Sequence, residues 1–350
     1  MKFSLKTLNI ISKPKINPRV YFAGIQPTGE PHLGNYLGFI KNFLRIQNEE
    51  PSTTKIFLSV VDLHAISTQL FPKEIMRNNI RSMFASLLAC GVNLNKTVLF
   101  KQSDVLEHTQ LFWILSSCQT LPNLQRQPQY KDKINLYTKG DVPLGLLSYP
   151  VLQASDILLY KTTHVPVGED QLHHMSLARN LARKFNEINE IDYFILPDAV
   201  LSKAPRVRSL QNPLKKMSKS DASNISRVGI YDTENDIRKK IQKAVTDGIG
   251  EIYYDDKERP GISNLLTLLA EFENTTIDEV SKNVKSLNKL QVKSYISDKI
   301  NKELQPIRER YHELIRNPNE IDIIIDNGRK KASEVASKTL KEVKEIIGFT

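Results

Sequence analysis

Apolar and polar positions along the chain follow two regimes. Up to about residue 228, short apolar runs alternate with longer stretches whose apolar residues recur every three or four positions; beyond Thr233 the β character largely disappears and the helical period remains. Val20-Tyr21-Phe22-Ala23 is short, apolar and β-prone, and Asn35 to Leu44 has helical spacing. Residues 55–62 predict a second strand and 97–100 a third. Residues 72–91 predict a helix, with Pro72 at its start and Gly91 just past its end, and residues 104–118 predict the next. Residues 120–145, broken by Pro122, Pro128, Gly140 and Pro143, predict an excursion from the sheet. Tyr149 to Tyr160 reads as a buried helix and Phe194-Ile195-Leu196 as a last strand. Residues 202–222, rich in Pro, Ser and Lys, suit a mobile loop. Strands alternating with helices predict an α/β fold, a doubly wound parallel sheet over residues 19–228, followed by an α-helical domain over 229–350. The sequence has no internal repeat and no low-complexity segment.

Composition narrows this picture. With 40% apolar and 25% charged residues the chain reads as a soluble globular protein, and no apolar run approaches the ~20 residues of a membrane span, so no membrane partner is expected. Cys90 and Cys118 stand alone, outside any CxxC or Cys/His cluster, which excludes a disulfide scaffold and argues against zinc. The net charge of +10 is unevenly spread. Residues 1–228 hold 28 Lys and Arg against 17 Asp and Glu, and residues 229–350 hold 21 against 22. This balance suits a polyanionic partner. Part of the excess, Lys2, Lys6, Lys13, Lys15 and Arg19, precedes the first acid, Glu30. With Leu5, Leu8, Ile10 and Ile11 able to line one side of a short helix, residues 1–18 read as a mitochondrial presequence; the competing reading is an ordinary basic terminus.

The chemistry concentrates in Gly24 to Gly38, GIQPTGEPHLGNYLG, where a strand gives way to a helix. Backbone N–H groups and the helix dipole at such a turn favour an anion. No Gly-Lys-Ser/Thr follows, so it is not a Walker A loop, and the GxGxxG spacing is absent. Instead it carries His32-Leu33-Gly34-Asn35, and far downstream stands Lys216-Met217-Ser218-Lys219-Ser220.

An HxGN turn followed by KMSKS resembles the class I aminoacyl-tRNA synthetases. With GIQPTG, HLGNYLG, DLHAI at 62–66, SYPVLQASDILLY, VPVGEDQ, KKMSKSD and PGISNLL at 260–266, the chain resembles the tryptophanyl-tRNA synthetases of mitochondrial and bacterial type, from about Phe22 to about Gly348. The resemblance implies a Rossmann-like catalytic domain and a helical anticodon-binding domain. It also implies a reaction that joins L-tryptophan to ATP with Mg²⁺, forming tryptophanyl-adenylate, and then charges the 2′-hydroxyl of the terminal adenosine of tRNA(Trp). A homodimer is implied as well. The amino-acid carboxylate is already ionised, so catalysis needs positioning and charge stabilisation rather than a protein nucleophile. On this resemblance Gln26, Pro27 and Thr28 line the nucleotide, Gly34 admits it to the backbone, and Asn35 donates to a phosphate. Lys216 and Lys219 meet the pyrophosphate with Met217, Ser218 and Ser220 on the same loop. Gly168, Glu169 and Asp170 hold the ribose, Val207 lies against adenine, and Lys133 adds a phosphate contact. Gln26, Asn35, Lys216 and Lys219 are the expected catalytic set; no protein-held metal is expected.

Tryptophan selection should rest on Asp156, an acid out of character among Ile157, Leu158, Leu159 and Tyr160. An indole N–H can only donate, and left unpaired in a buried pocket it costs roughly 1–3 kcal/mol. Tyr149, Gln153 and Asp156 share a helix face, and Phe22, His64, Val165 and Val167 match pocket-lining positions of the family. Lys282, Lys285, Lys289 and Lys293 would form one stripe on a helix for tRNA phosphates. Each residue also has a plain reading: solvated lysines, Glu169 and Asp170 as helix caps, His32 bonded to backbone, Asp156 as an N-cap or in a structural ion pair. Three rivals share parts of the pattern: a tyrosyl-tRNA synthetase, a non-catalytic RNA-binding relative, and a small adenylyltransferase of the same superfamily.

Overall fold

The computed structural model describes residues 18–138, 141–201, 206–219, 221 and 223–349. The segment read as a presequence falls, up to residue 17, outside the described residues, as does Ser220. Five parallel strands, β1 (Val20–Ile25), β2 (Lys55–Val60), β3 (Thr97–Lys101), β4 (His164–Val167) and β5 (Asp198–Leu201), form one sheet in the order β3-β2-β1-β4-β5. Along β1 alternate residues enter different cores. Tyr21 and Ala23 join Ile56, Leu58, Val60 and Leu99 on one face, while Val20 and Phe22 join Phe57, Phe100 and Val165 on the other. Apolar side chains on both faces are what a sheet covered on both sides requires. The fold is the expected Rossmann-like, doubly wound α/β arrangement.

In the first half the helices are α1 (Leu33–Asn35), α2 (Lys41–Glu49), α3 (Asp62–Ala65), α4 (Lys73–Ala89), α5 (Glu107–Ser116), α6 (Leu121–Gln125), α7 (Pro128–Ile134), α8 (Leu144–Leu158) and α9 (Leu172–Ile188). Five more follow: α10 (Glu234–Gln242), α11 (Pro260–Glu273), α12 (Ile277–Asn283), α13 (Lys289–Arg316) and α14 (Pro318–Ile346). Tyr36–Ile40, between α1 and α2, is a π-helical turn. The long α13 packs on α4 and α10, and α14 returns to β3 and α5. There a Cβ on Gly328 would collide with the Leu99 carbonyl, so only glycine lets the last helix approach the strand this closely. Ala332, Ala336, Leu340 and Val343 continue the contact into the core.

Three expectations are corrected. The last strand lies at Asp198–Leu201, after the expected 194–196. The reason is that the Asn186 side-chain amide takes both the Phe194 N–H (2.9 Å) and the Phe194 carbonyl (2.9 Å), which removes them from any ladder. Strand β4, His164–Val167, arises where no strand is expected; its Pro166 hides the β signal. The four lysines do not form a stripe. Lys282 lies on α12, Lys285 in the turn beyond it, and Lys289 begins α13. Lys293 is buried and donates to the carbonyls of Gln242 (3.1 Å) and Ala244 (2.8 Å), closing the end of α10.

Candidate active site

In a doubly wound sheet the crevice opens at the carboxyl ends of the strands, where the connection reverses direction. Here that place lies between β1, which pairs with both β2 and β4, and β4. A cavity of about 300 Å³ occupies it. Phe22 and Gly24 of β1 and Val165, Pro166 and Val167 of β4 form its floor. Tyr149, Gln153, Asp156 and Ile157 of α8 line it as well, with His64 bonded to Asp156 beside them, and Ser67, Phe39 and Gln26 complete the lining. All seven residues expected around the amino acid, Phe22, His64, Tyr149, Gln153, Asp156, Val165 and Val167, line this one cavity; so do Gln26, Lys133 and Gly168 from the nucleotide set. Gly145 opens α8 against the Ser67 carbonyl, with no room there for a Cβ.

Asp156 is 1% exposed, and its carboxylate is fully engaged. Oδ1 accepts from Gln102 Nε2 (2.8 Å) and His108 Nδ1 (2.6 Å); Oδ2 accepts from His64 Nε2 (2.8 Å) and Gln102 Nε2 (2.9 Å). Burial alone would raise this carboxyl, but the His108 and His64 partners outweigh it and hold the group at about 2. Asp156 is therefore an anion at any working pH, able only to accept. A helix-capping role, which the sequence left open, is not what it does.

Beside it runs a second network. Gln129 Nε2 donates to the Asp170 carbonyl (3.1 Å), so its Oε1 faces the Tyr149 hydroxyl (2.6 Å). Gln171 Nε2 donates to the Asp170 carboxylate (2.9 Å), so its Oε1 faces His174 Nδ1 (2.9 Å) and Gln153 Nε2 (3.4 Å). Burial, only partly offset by Asp170, lowers the His174 ring to about 4 and keeps it neutral. Its single proton then sits on Nδ1, and Nε2 is a second acceptor for Tyr149 O–H at 3.1 Å. One phenolic proton thus faces two acceptors. A site with more acceptors than protons suits a ligand that brings N–H groups, such as a primary ammonium.

The glycine-rich turn is folded around His32. Its Nδ1 accepts from the Gly34 N–H (3.0 Å) while Asn35 Oδ1 accepts from the His32 N–H (3.2 Å), a reciprocal cap on α1. A Cβ on Gly34 would press on the His32 ring at 2.9 Å, so the glycine makes room for the imidazole. Burial first, then the charges of Lys219, Arg227 and Lys216, lower His32 to about 4. The neutral ring carries its proton on Nε2, and Asn35 keeps both amide protons for another acceptor. Of the KMSKS loop, Lys219 donates to the Gly29 carbonyl (2.7 Å), and burial lowers it to about 8, with Glu30 raising it and Arg227 lowering it. Met217 is buried and its N–H bonds the Val207 carbonyl (3.1 Å). Lys216 is exposed and pairs with Arg208 in a short antiparallel bridge. Pro27 is buried and Thr28 exposed on the turn, Ser218 is half-buried, and Gly168, Glu169 and Asp170 form the exposed turn leading into α9.

Gln102, His108, Gln129, Gln171 and His174 were not singled out in the sequence. Gln102 follows β3 at the carboxyl edge of the sheet, where sites gather. His108 is wholly buried in α5, on the face it shares with Leu111 and Leu115, but its polar neighbours Glu107, Thr109 and Gln110 mask it in the sequence. Gln171 ends the VPVGEDQ run, directly after Glu169 and Asp170.

Comparison with known proteins agrees with this geometry. Residues 15–305 match the family described as class I tRNA synthetases (W and Y). The mitochondrial tryptophan–tRNA ligase of Caenorhabditis elegans is 43% identical, over 99% of this chain and 98% of its own length. The tryptophan–tRNA ligase of Bacillus anthracis is 42% identical, over 95% of this chain and 98% of its own length. Among solved structures, the tryptophanyl-tRNA synthetase of Campylobacter jejuni complexed with ADP and tryptophan superposes with a TM-score of 0.79 at 30% identity, covering 94% of this chain and 99% of that one.

Proposed function

The chain belongs to the class I tRNA synthetases, among the tryptophan–tRNA ligases, and from that membership we propose how its residues divide the work. The enzyme activates L-tryptophan with ATP, releasing pyrophosphate, and transfers the tryptophanyl group to tRNA(Trp). The buried Asp156 carboxylate at the cavity wall, held by His64, Gln102 and His108, carries this reading: an indole N–H needs an acceptor, and Phe22, Val165 and Val167 supply apolar surface for the ring. The proton-poor group of Gln129, Tyr149 and Gln171 receives the α-ammonium. That leaves the amino-acid carboxylate directed at the glycine-rich turn, where ATP binds.

ATP lies over residues 26–28, with Gly34 and Asn35 at its phosphates, Gly168, Glu169 and Asp170 at the ribose and Val207 near the adenine. His32 Nε2–H and the Asn35 amide are neutral donors, so they hold phosphate oxygens without adding charge. Lys216 and Lys219 neutralise the leaving pyrophosphate, with Met217, Ser218 and Ser220 shaping the loop, and Lys133 meets a phosphate from across the cavity. The amino-acid carboxylate attacks the α-phosphorus, its bond to the β-bridging oxygen breaks, and the electron pair leaves on pyrophosphate. Mg²⁺ enters with the substrate, carried on the ATP phosphates; among the described residues no group of three His, Cys, Asp or Glu side chains is arranged to hold a metal.

Residues 19–228 form the catalytic domain in this reading, and 229–350 the domain that binds the anticodon end. The enzyme acts as a homodimer. Supporting this, Leu106 and Trp113, seven residues apart, are 67% and 73% exposed, and Leu121 of α6, Leu136 in the turn after α7 and Leu144 of α8 are exposed too. It works in the mitochondrial matrix, which the acid-free, basic first 29 residues and the mitochondrial relative support. ATP–pyrophosphate exchange with each of the twenty amino acids tests the activity. Exchange with tryptophan alone is expected, and Asp156→Ala should erode the preference for tryptophan over phenylalanine while leaving ATP binding intact. Exchange with tyrosine instead would overturn the assignment.

A further inference from the structure

Asp156 can select an indole only if its carboxylate stays ionised and points one oxygen at the ligand. Two of the side chains that hold it, Gln102 and His108, are fully buried and do not line the cavity, whereas His64 does. Gln102 has no freedom to flip. Its Oε1 accepts from the Leu63 N–H (3.1 Å), a group that can only donate, so its amide protons must face Asp156. The same bond ties Gln102 to the residue next to His64. His108 is fixed equally. Its carbonyl accepts from Ser155 Oγ (2.7 Å), and its Nε2 meets the Tyr160 hydroxyl (2.9 Å), which burial keeps protonated as a donor. The Asp156 carboxylate can only accept, so His108 Nδ1 carries a proton and gives it to Oδ1 at 2.6 Å.

We infer that Gln102 and His108 are positioning residues for tryptophan selection, clamping Asp156 from behind so that Oδ2, on the His64 side, is offered to the indole N–H. Oδ1 accepts from both buried donors, and Oδ2 accepts from Gln102 and from His64, the one of the three partners that lines the cavity. This rests on Asp156 being the acceptor for the indole.

The test uses the whole enzyme in ATP–pyrophosphate exchange with two substrates, L-tryptophan and 3-benzothienyl-L-alanine, in which sulfur replaces the N–H. The ratio of their kcat/KM values reads the hydrogen bond to the ring, because both side chains fill nearly the same volume. In Gln102→Leu and His108→Phe this ratio should fall about tenfold to a hundredfold, the range of a hydrogen bond to a charged group. The loss should appear mainly in KM for tryptophan, with KM for ATP held within about twofold. His108→Asn, whose amide can donate from the place of Nδ1, should keep most of the ratio. Should Gln102→Leu not fold, Gln102→Asn carries the same test. If both substrates decline together and the ratio holds, the two residues only fill the core and the inference fails. Asp156→Ala separates the two levels. A ratio unchanged there overturns the role of Asp156 and this inference with it, while a ratio lost there but kept in the Gln102 and His108 variants overturns this inference alone.

Discussion

Lys219 Nζ donates to the Gly29 carbonyl at 2.7 Å, which joins the KMSKS loop to the turn after β1. The lysine that should meet the pyrophosphate is thus held in place by the loop that should cradle the nucleotide. Burial leaves it at about 8, below the ordinary lysine value of 10.5. In the free enzyme it loses its charge as pH rises through 8. Exchange at limiting ATP should therefore decline above pH 8, and saturating ATP should move that limb upward, since phosphate charge favours the ammonium. Lys219→Arg, charged at all these pH values, should remove the limb. Lys219→Ala should slow adenylate formation roughly a hundredfold with the Kd for tryptophan unchanged. A limb that persists in the arginine variant would assign it to another group.

Gly145 sets the distance between α8 and the Ser67 carbonyl. Gly145→Ala must push the start of α8 outward, and α8 carries Tyr149, Gln153 and Asp156. The expected cost is about 1–3 kcal/mol in stability, read by urea unfolding, together with a rise in KM for tryptophan that exceeds any rise for ATP. Equal rises in both would show that the helix start does not set the amino-acid pocket.

The lysines after residue 280 now separate into two tasks. Lys293 closes α10 from a buried position, so Lys293→Ala should lower stability by about 1–3 kcal/mol whether or not tRNA is present. Lys282 and Lys285 are exposed, and changing both to Ala should leave stability unaltered. If the helical half binds the anticodon end, the double variant should raise KM for tRNA and flatten its salt dependence, with pyrophosphate exchange intact. Unaltered charging at low tRNA would place the phosphate contacts elsewhere.

Trp113 projects from α5 with 73% of its surface exposed. If this face joins two copies, Trp113→Glu should shift sedimentation toward the monomer with the melting temperature little changed. A dimer that withstands the charge would locate the interface on another surface.

Much of this was legible in the sequence because it depends on local pattern. Runs such as Val20 to Ala23 and Lys55 to Val60 are apolar on both faces, as strands covered on both sides must be, and Pro72 and Gly91 bracket α4. The pocket residues were found through short motifs, each a continuous run of the chain such as SYPVLQASDILLY or VPVGEDQ. What escaped depends on partners distant in sequence. Phe194 has the composition of a strand, but the Asn186 amide occupies its backbone. Gln102 and His108 act only through Asp156, roughly fifty residues on, and no short-range pattern marks such a bond. The lysines at 282–293 kept helical spacing across a turn that breaks the helix, and periodicity alone does not register that break.

The approach of α14 to β3 over Gly328 bears on how the polypeptide is made. Strand β3 lies at the edge of the sheet and leaves the ribosome long before α14, the helix that covers it. Until α14 has been made, that edge has no native cover and can pair with another chain. A nascent chain stalled before residue 328 should hold chaperones that the finished protein releases, because the sheet is sealed only when Ala332, Ala336 and Leu340 reach their places against it.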